Sequence, residues 1–335
     1  MVTNSQTLVM PPPPDHEADD ATSAPTSPGS PGSDRRWRRP SPVVIFVALL
    51  ALAGVVLLQL PSIATWFSQR EYSQEIMGLN RESTSSDEAR RQTALAEART
   101  YNEQLTGAAV VAAGQRIPQA VEGASDEEYT RLLAADSTGL MARIKIPSID
   151  VDLPIYHGTS DDVLEQGVGH LEGTALPVGG PTTHTVLTAH RGLAKAALFD
   201  NLDKVQAGDT FTVETWGEVL TYRVTETRVV KPDETQALYP VLGEDLATLV
   251  TCTPLGINTH RILVTGERVT PTPIGDVNAA GQDPTVPGFP WWAVWSALAL
   301  TGITAYVVAS SRVRKSASGA GRTKRRPAHA ADDLV

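Results

Sequence analysis

The chain contains a single cysteine, Cys252, in a setting that suits a nucleophilic thiol. The run from Leu246 to Cys252 predicts a β-strand, and Thr253-Pro254 ends it because proline cannot continue a central strand. Cys252 is therefore expected at the end of a strand, at the rim of a sheet. A lone cysteine cannot form an internal disulfide, so it is either a buried structural residue or a reactive thiol.

A second predicted strand, His260–Gly266, follows after a short loop and brings an arginine near the thiol. If the two strands pair as neighbours, Arg261 lies beside Cys252 at the same rim. An arginine there favours the thiolate and can hold an oxyanion, because its guanidinium stays charged and offers a fixed fork of donors. The alternative is a buried structural cysteine with an arginine paired to an acid.

A thiol nucleophile also needs a nearby acid or base, and histidine is the first candidate. His190 is the best placed, since it ends a predicted strand at the Arg191-Gly192 exit. His184 starts that strand at the opposite rim, and adjacent residues on a strand face opposite sides, so His260 points away from Arg261. Spacing alone leaves each histidine open to a structural role. The candidates are His157, His170, His184, His190 and His260.

The segments that carry these residues are short, rich in β-branched side chains and punctuated by glycine, proline and aspartate. The pattern predicts a mainly β domain, and more readily a closed barrel than an open sheet. Two brief helices are predicted over residues 161–166 and 196–202. The predicted strands are 142–146, 151–155, 184–190, 210–215, 219–230, 246–252 and 261–268.

Two apolar segments flank this domain and predict membrane helices over residues 42–66 and 288–311. The first is long enough to cross about 30 Å of hydrocarbon. A cleaved signal peptide is the alternative, but the segment begins far into the chain and is longer than a signal-peptide core. Basic clusters lie just before the first segment and just after the second. The positive-inside rule therefore predicts a two-pass protein of the cell membrane, with both termini cytoplasmic.

Composition limits the remaining possibilities. The formal net charge is −10, and the basic clusters adjoin the apolar segments, so we expect contact with membrane lipid and no nucleic-acid partner. Metal and phosphate-loop motifs are absent from the sequence, and we expect neither a metal nor a cofactor. The predicted regions are a disordered tail (1–41), the first membrane helix (42–66), a helical or lid region (70–128), the barrel (129–268), a flexible linker (269–287), the second membrane helix (288–311) and a basic tail (312–335).

Three segments resemble class C sortases, the pilin-polymerising transpeptidases of Gram-positive bacteria. Thr248–Pro254 is similar to their catalytic cysteine segment, Gly256–Val264 to their arginine segment, and Thr188–Gly192 to their histidine segment. Similarity extends from about Tyr129 to Arg268. The resemblance implies an eight-stranded sortase-type barrel with N-terminal helices and two flanking transmembrane helices. It also implies that Cys252 is the nucleophile, His190 the acid/base and Arg261 the oxyanion- and substrate-stabilising residue.

The resemblance further implies a substrate and a reaction. The enzyme would cleave the Thr–Gly bond of a Leu-Pro-x-Thr-Gly-like (LPxTG) sorting signal on a pilin or surface protein, without a cofactor. It would then join the acyl group to an acceptor amine, a pilin lysine. A housekeeping-type sortase that anchors proteins to peptidoglycan cross-bridges differs only in the acceptor. An L,D-transpeptidase, whose Ser-His-Gly-Cys run is absent, and a non-catalytic envelope scaffold are further alternatives.

The sequence departs from the class C pattern before the barrel. Those enzymes usually carry a lid with an Asp-Pro-aromatic anchor. Here no Phe or Trp occurs between Phe67 and Phe199, and Pro118 is the only proline between Tyr101 and Ile146. Either residues 113–128 cover the site differently, or the site is open.

Overall fold

The computed structural model describes residues 39–105 and 126–311. The predictions for the tails 1–41 and 312–335 and for a cover over 113–128 fall mostly outside the described residues. Eight strands close into a barrel in the order β1-β2-β3-β4-β7-β8-β6-β5, which confirms the predicted closed barrel. The strands are β1 Leu140–Ile146, β2 Val151–His157, β3 Val168–His170, β4 Thr183–Thr188, β5 Thr210–Thr215, β6 Glu218–Val230, β7 Asp245–Thr253 and β8 His260–Arg268.

Six helices accompany the barrel in the described part of the chain. The helix predicted over 161–166 is confirmed, with Ser160 as its N-cap, whereas the one predicted over 196–202 is wrong. That segment forms turns and then a single 3₁₀ turn, Leu202–Lys204, because side chains of the same loop bind its backbone. The helices are α1 Pro42–Ser85, α2 Glu88–Gln104, α3 Asp126–Arg131, α4 Asp161–Gln166, α5 Ile274–Asn278 and α6 Trp291–Ser311.

The strand directions give the barrel two distinct ends. β4 and β7 are parallel, and β8 runs antiparallel to β7, so the last residues of β4 and β7 meet the first residues of β8 at one end. We call this end the cysteine rim, because Cys252 lies there. The opposite end, where β4 and β7 begin and β8 ends, is the far rim. β3, which the sequence did not predict because it is only three residues long, holds His170.

Helix α1 is one continuous helix of 44 residues that changes role along its length. Its first part is apolar and exposed, which fits the predicted membrane span. Its second part packs on the barrel through Tyr72, Ile76 and Leu79, all buried. α6 is the second helix that is long and apolar enough to cross a membrane. The same helix therefore serves as a candidate membrane span and as a support for the barrel wall.

Residues 269–287, predicted as a flexible linker, are docked against the barrel and α1. The amide of Asn80 donates to the carbonyls of Gly281 and Gln282, and Arg143 also donates to Gln282. Glu214 accepts from the Gly281 N–H. Arg143 is itself buried and forms a two-fold ion pair with Asp152. The sequence did not indicate these contacts, because the polar groups that bind this segment lie far away in the sequence.

A buried polar cluster lies between α3 and the ends of β2 and β3. Tyr129, just before the first strand, donates from its hydroxyl towards His170 Nδ1, 2.9 Å away, and accepts from the Gly158 N–H. His170 Nε2 donates to the Ala175 carbonyl at 2.9 Å. The neutral imidazole can accept from the Tyr129 hydroxyl and donate to the Ala175 carbonyl at the same time. The charged imidazolium is disfavoured because it would be buried without water. Burial accordingly lowers the pKa of His170 to about 4.

This pKa shift predicts that the protein loses stability as the pH falls. Between the ordinary histidine pKa and about 4, the unfolded chain takes up a proton that folded His170 refuses. The free energy of unfolding should therefore fall by about 3 kcal/mol from pH 7.5 to pH 4 through this residue alone. Urea unfolding of the full chain in detergent, followed by Trp fluorescence, measures it. His170→Gln should flatten the slope, and an unchanged slope in this variant would contradict the assignment.

Candidate active site

Cys252 is held between two partner strands near the end of β7. Its side chain is buried, with 5% of its surface exposed, and packs against Leu164 of α4. In the register of β7 with β8, Cys252 is directly opposite Arg261. The predicted pairing of β7 with β8 is therefore confirmed, and it brings the Cys252 thiol and the Arg261 guanidinium to the same rim.

His190 reaches the cysteine from the other side through parallel pairing of β4 with β7. The register matches Thr188 with Val250, and the Ala189 N–H continues it by donating to the Val250 carbonyl at 3.2 Å. The Thr251 hydroxyl in turn donates to the Ala189 carbonyl at 2.8 Å. One more step of the same register brings His190 level with Cys252. The histidine thus lies on one flank of the cysteine and Arg261 on the other.

The three side chains share the outer face of the barrel, because strand residues alternate between two faces. Leu187, Leu249 and Ile262 belong to the interior core. Their sequence neighbours on the outer face form a separate apolar cluster next to the cysteine. Leu238, from the segment that crosses between β6 and β7, covers this cluster. The site therefore lies at the top of an apolar outer face and not inside the barrel. The outer cluster consists of Leu171, Val186, Leu238, Val250 and Leu263.

Arg261 is held in place by backbone carbonyls. The side chain is 2% exposed, and Nη1 donates to the carbonyls of Asn258 at 3.0 Å and His260 at 3.1 Å. Burial lowers the pKa of Arg261, and the neighbouring Cys252 acts in the opposite direction by favouring the charged guanidinium. A buried, oriented cation beside a thiol is suited to stabilise a thiolate or an oxyanion.

The other candidate histidines have partners away from this rim. His184, near the start of β4, contacts the Thr248 hydroxyl at 2.7 Å and the Tyr239 carbonyl at 3.0 Å. His157 and His170 end β2 and β3 and have buried backbone partners, and burial lowers the pKa of all three histidines. His260 contacts Thr259. Of the candidates, only His190 lies in register with Cys252.

Arg191 is a residue of this site that the sequence analysis did not identify. Its guanidinium donates to the Asp200 carbonyl at 3.0 Å and the Thr253 hydroxyl at 3.2 Å, and it pairs with Asp203 at 2.7 Å. It thereby ties the loop after His190 to the residue after Cys252. The only indication of this role in the sequence is that Arg191 follows His190 directly. Its contact with Thr253 could not be predicted, because it depends on the parallel pairing of β4 with β7.

Comparison with known proteins agrees with this geometry. The sortase domain model matches residues 144–269. Sortase D of Bacillus subtilis (strain 168) is 30% identical over 184 residues, which cover 52% of this chain and 88% of that protein. The chain belongs to the sortase family. Its cysteine is thus set in the fold of a family of cysteine transpeptidases, and the scaffold and L,D-transpeptidase alternatives are set aside.

Solved structures give the class of this sortase. Sortase C1 from Streptococcus agalactiae is 44% identical with a TM-score of 0.54, covering 58% of this chain and 98% of that one. Sortase C from Streptococcus pneumoniae is 37% identical with a TM-score of 0.53, covering 58% and 96%. These neighbours support the class C assignment.

Proposed function

We propose that Cys252, His190 and Arg261 are the catalytic residues of a pilin-type transpeptidase that acts on an LPxTG-like sorting signal. The observation that carries the proposal is the position of Cys252 between Arg261 on β8 and His190, two residues after β4. A nucleophile flanked by an acid/base and an oxyanion-stabilising cation is the arrangement that acyl transfer through a thioester requires.

The proposed reaction proceeds in two halves. The Cys252 thiolate attacks the threonine carbonyl carbon, and Arg261 stabilises the oxyanion that forms. His190, as imidazolium, gives its proton to the glycine nitrogen as the Thr–Gly bond breaks, which leaves a thioester on Cys252. An acceptor amine then attacks the thioester and loses a proton to His190. The new amide forms, the thiolate is released, and the imidazolium is restored for the next cycle.

The acceptor is proposed to be a lysine of a pilin subunit. Support comes from the class C neighbours, among them the Streptococcus pneumoniae enzyme, whose structure is described in terms of pilin substrate specificity. The second candidate is the amine of a peptidoglycan cross-bridge, as for a housekeeping-type sortase; relatives named sortase A match about two fifths of this chain.

An acceptor competition tests this proposal. Full chain in nanodiscs would receive an LPxTG peptide with two amines at equal concentration, a pilin-derived lysine peptide and a cross-bridge peptide. We expect cleavage between Thr and Gly, with the lysine peptide as the main adduct by mass spectrometry. A scrambled peptide should stay intact. Cleavage with only the cross-bridge adduct would favour the housekeeping function, and no cleavage would contradict the proposed substrate.

The membrane topology is part of the same proposal. The two apolar helices lie side by side, with Ser296 donating to Gln59 at 2.9 Å, and Trp66 contacts Trp292 at the outer end of the pair. With both termini cytoplasmic, the barrel is outside. In a Cys252→Ala chain, Asp20→Cys and Ala330→Cys should resist an impermeant thiol reagent in intact cells, whereas Leu242→Cys should react. Labelling of either tail from outside would overturn the topology.

Arg191 is expected to act as a positioning residue in this reaction. Arg191→Met should lower kcat on the peptide by about 10- to 100-fold with little change in KM, because the loop after His190 loses its tie to Thr253. The matched control is Lys195→Met, in the same loop as Arg191. It removes only an exposed ion pair with Glu165 of α4, and its activity should stay near wild type. An equal loss in both variants would show that the loop is merely destabilised.

A further inference from the structure

Helix α1 runs along the barrel wall from the cysteine rim to the far rim. At the start of its packed part, the Ser68 hydroxyl donates to the Lys195 carbonyl at 2.6 Å, and Lys195 lies in the loop after His190. Farther along the helix, Ser83 and Thr84 line a groove with Trp216 and Gly217, in the turn before β6. The first part of β6 pairs with the last residues of β8, which end at the far rim. The packed part of α1 therefore begins at the cysteine rim and ends near the far rim.

The level of the cysteine rim follows from helix geometry. The apolar run Pro42–Leu60 is about 28 Å long at 1.5 Å per residue, close to the hydrocarbon thickness. Ser68 is two turns farther on, about 12 Å along the axis. The chain returns at the same level, since Trp66 Nε1 donates to the Gly288 carbonyl at 2.9 Å just before α6. The headgroup layer extends about 5–8 Å beyond the hydrocarbon, so the loop at Lys195 lies only about 4–7 Å outside its outer boundary.

The loop between β7 and β8 presents aliphatic side chains at this rim. Leu255 is 60% exposed and Ile257 is 67% exposed. The loop contacts the one after His190 so closely that a Cβ added to Gly192 would lie 2.5 Å from Leu255. The two loops thus form one surface, and this surface contacts α1 at Ser68.

We propose that the cysteine rim faces the bilayer and that the loop 253–259 rests on its outer surface, with Leu255 and Ile257 among the headgroups. The inference rests on the proposed two-span topology and adds the direction in which the site opens. Exposed aliphatic side chains beside a membrane helix gain from leaving water at the interface. A polypeptide substrate then reaches Cys252 along the bilayer surface, and the far rim, with α2 and α3, points away from it.

Fluorescence quenching in nanodiscs tests the direction. In a full chain carrying Cys252→Ala, a fluorophore would be attached to one new cysteine at a time: Leu255→Cys, Ile257→Cys, Leu242→Cys or Phe289→Cys. The nanodiscs contain phospholipid spin-labelled at the headgroup. Leu242 is the matched control, an exposed leucine next to the start of β7 at the far rim. Phe289, exposed just before α6, reports membrane attachment independently.

We expect quenching at positions 255 and 257 at least threefold stronger than at 242, and strong quenching at 289. Equal, weak quenching at 255, 257 and 242 with strong quenching at 289 would overturn the orientation and leave the topology standing. Weak quenching at 289 would overturn the topology itself, and the orientation with it. Because positions 255 and 257 are labelled in separate variants, one of them still reports if the other fails to fold. The fluorescence quenching does not depend on enzyme activity.

Discussion

Cys252→Ala is expected to abolish thioester formation and to slow cleavage of an LPxTG peptide by on the order of 10⁴-fold or more. The reason is chemical. The thiolate is the attacking atom, and Cys252 is the only cysteine in the chain, so no other thiol can replace it. Turnover is measured by fluorescence of a labelled peptide, and the acyl-enzyme by intact mass after rapid acid quench.

The substitution should leave the fold in place. Cys252 packs in a small cluster with Leu164, and alanine removes only its sulfur atom. The melting temperature should therefore stay within a few degrees of wild type. His190→Gln, which keeps the thiol but removes the proposed acid, should also fail to turn over while still reacting with an alkylating reagent. Cleavage by Cys252→Ala at a tenth of the wild-type rate would mean that another group attacks the peptide.

The sequence was sufficient to predict one flank of the site. β7 and β8 are consecutive segments joined by a short loop that begins with Thr253-Pro254, and consecutive strands commonly pair. The pairing of Cys252 with Arg261 follows from that rule and from the alternation of side chains. The other flank depends on β4 lying beside β7, although β5 and β6 intervene in the chain. The sequence predicted a strand that ends at His190, and β4 ends two residues earlier, at Thr188. It did not indicate that this strand neighbours the cysteine.

The parts that the sequence did not predict are held by tertiary contacts. Residues 269–287 have the composition of a linker, yet Asn80, Arg143 and Glu214 bind their backbone. The helix expected over 196–202 is replaced by turns because Arg191 and Asp200 bind the loop backbone. In the first segment the partners are distant in the sequence, and in the second they belong to the same loop; in both, these contacts outweigh local propensity. The continuity of α1 from its apolar part to Ser85 has the same origin, since buried residues continue it along the barrel.

Arg261→Met is expected to lower kcat/KM on the same peptide by about 10²–10³-fold, the usual cost of removing an oxyanion-stabilising donor. Methionine fills a similar volume without leaving a buried charge unpaired, so the barrel should fold. The matched control is Arg228→Met, on the neighbouring strand β6, where the guanidinium is half exposed and pairs with Glu226. This control should retain nearly full activity.

Arg261→Lys separates charge from geometry. The native guanidinium donates through Nη1 to the carbonyls of Asn258 and His260, which fixes the direction of the remaining donors. A lysine ammonium supplies the charge but not this fork, so it should recover less than a tenth of the lost rate. Because Arg261 is proposed to bind the developing oxyanion, the loss should fall mainly on kcat. Full recovery by lysine would show that a nearby positive charge is sufficient, and an unchanged rate in Arg261→Met would remove the arginine from the mechanism.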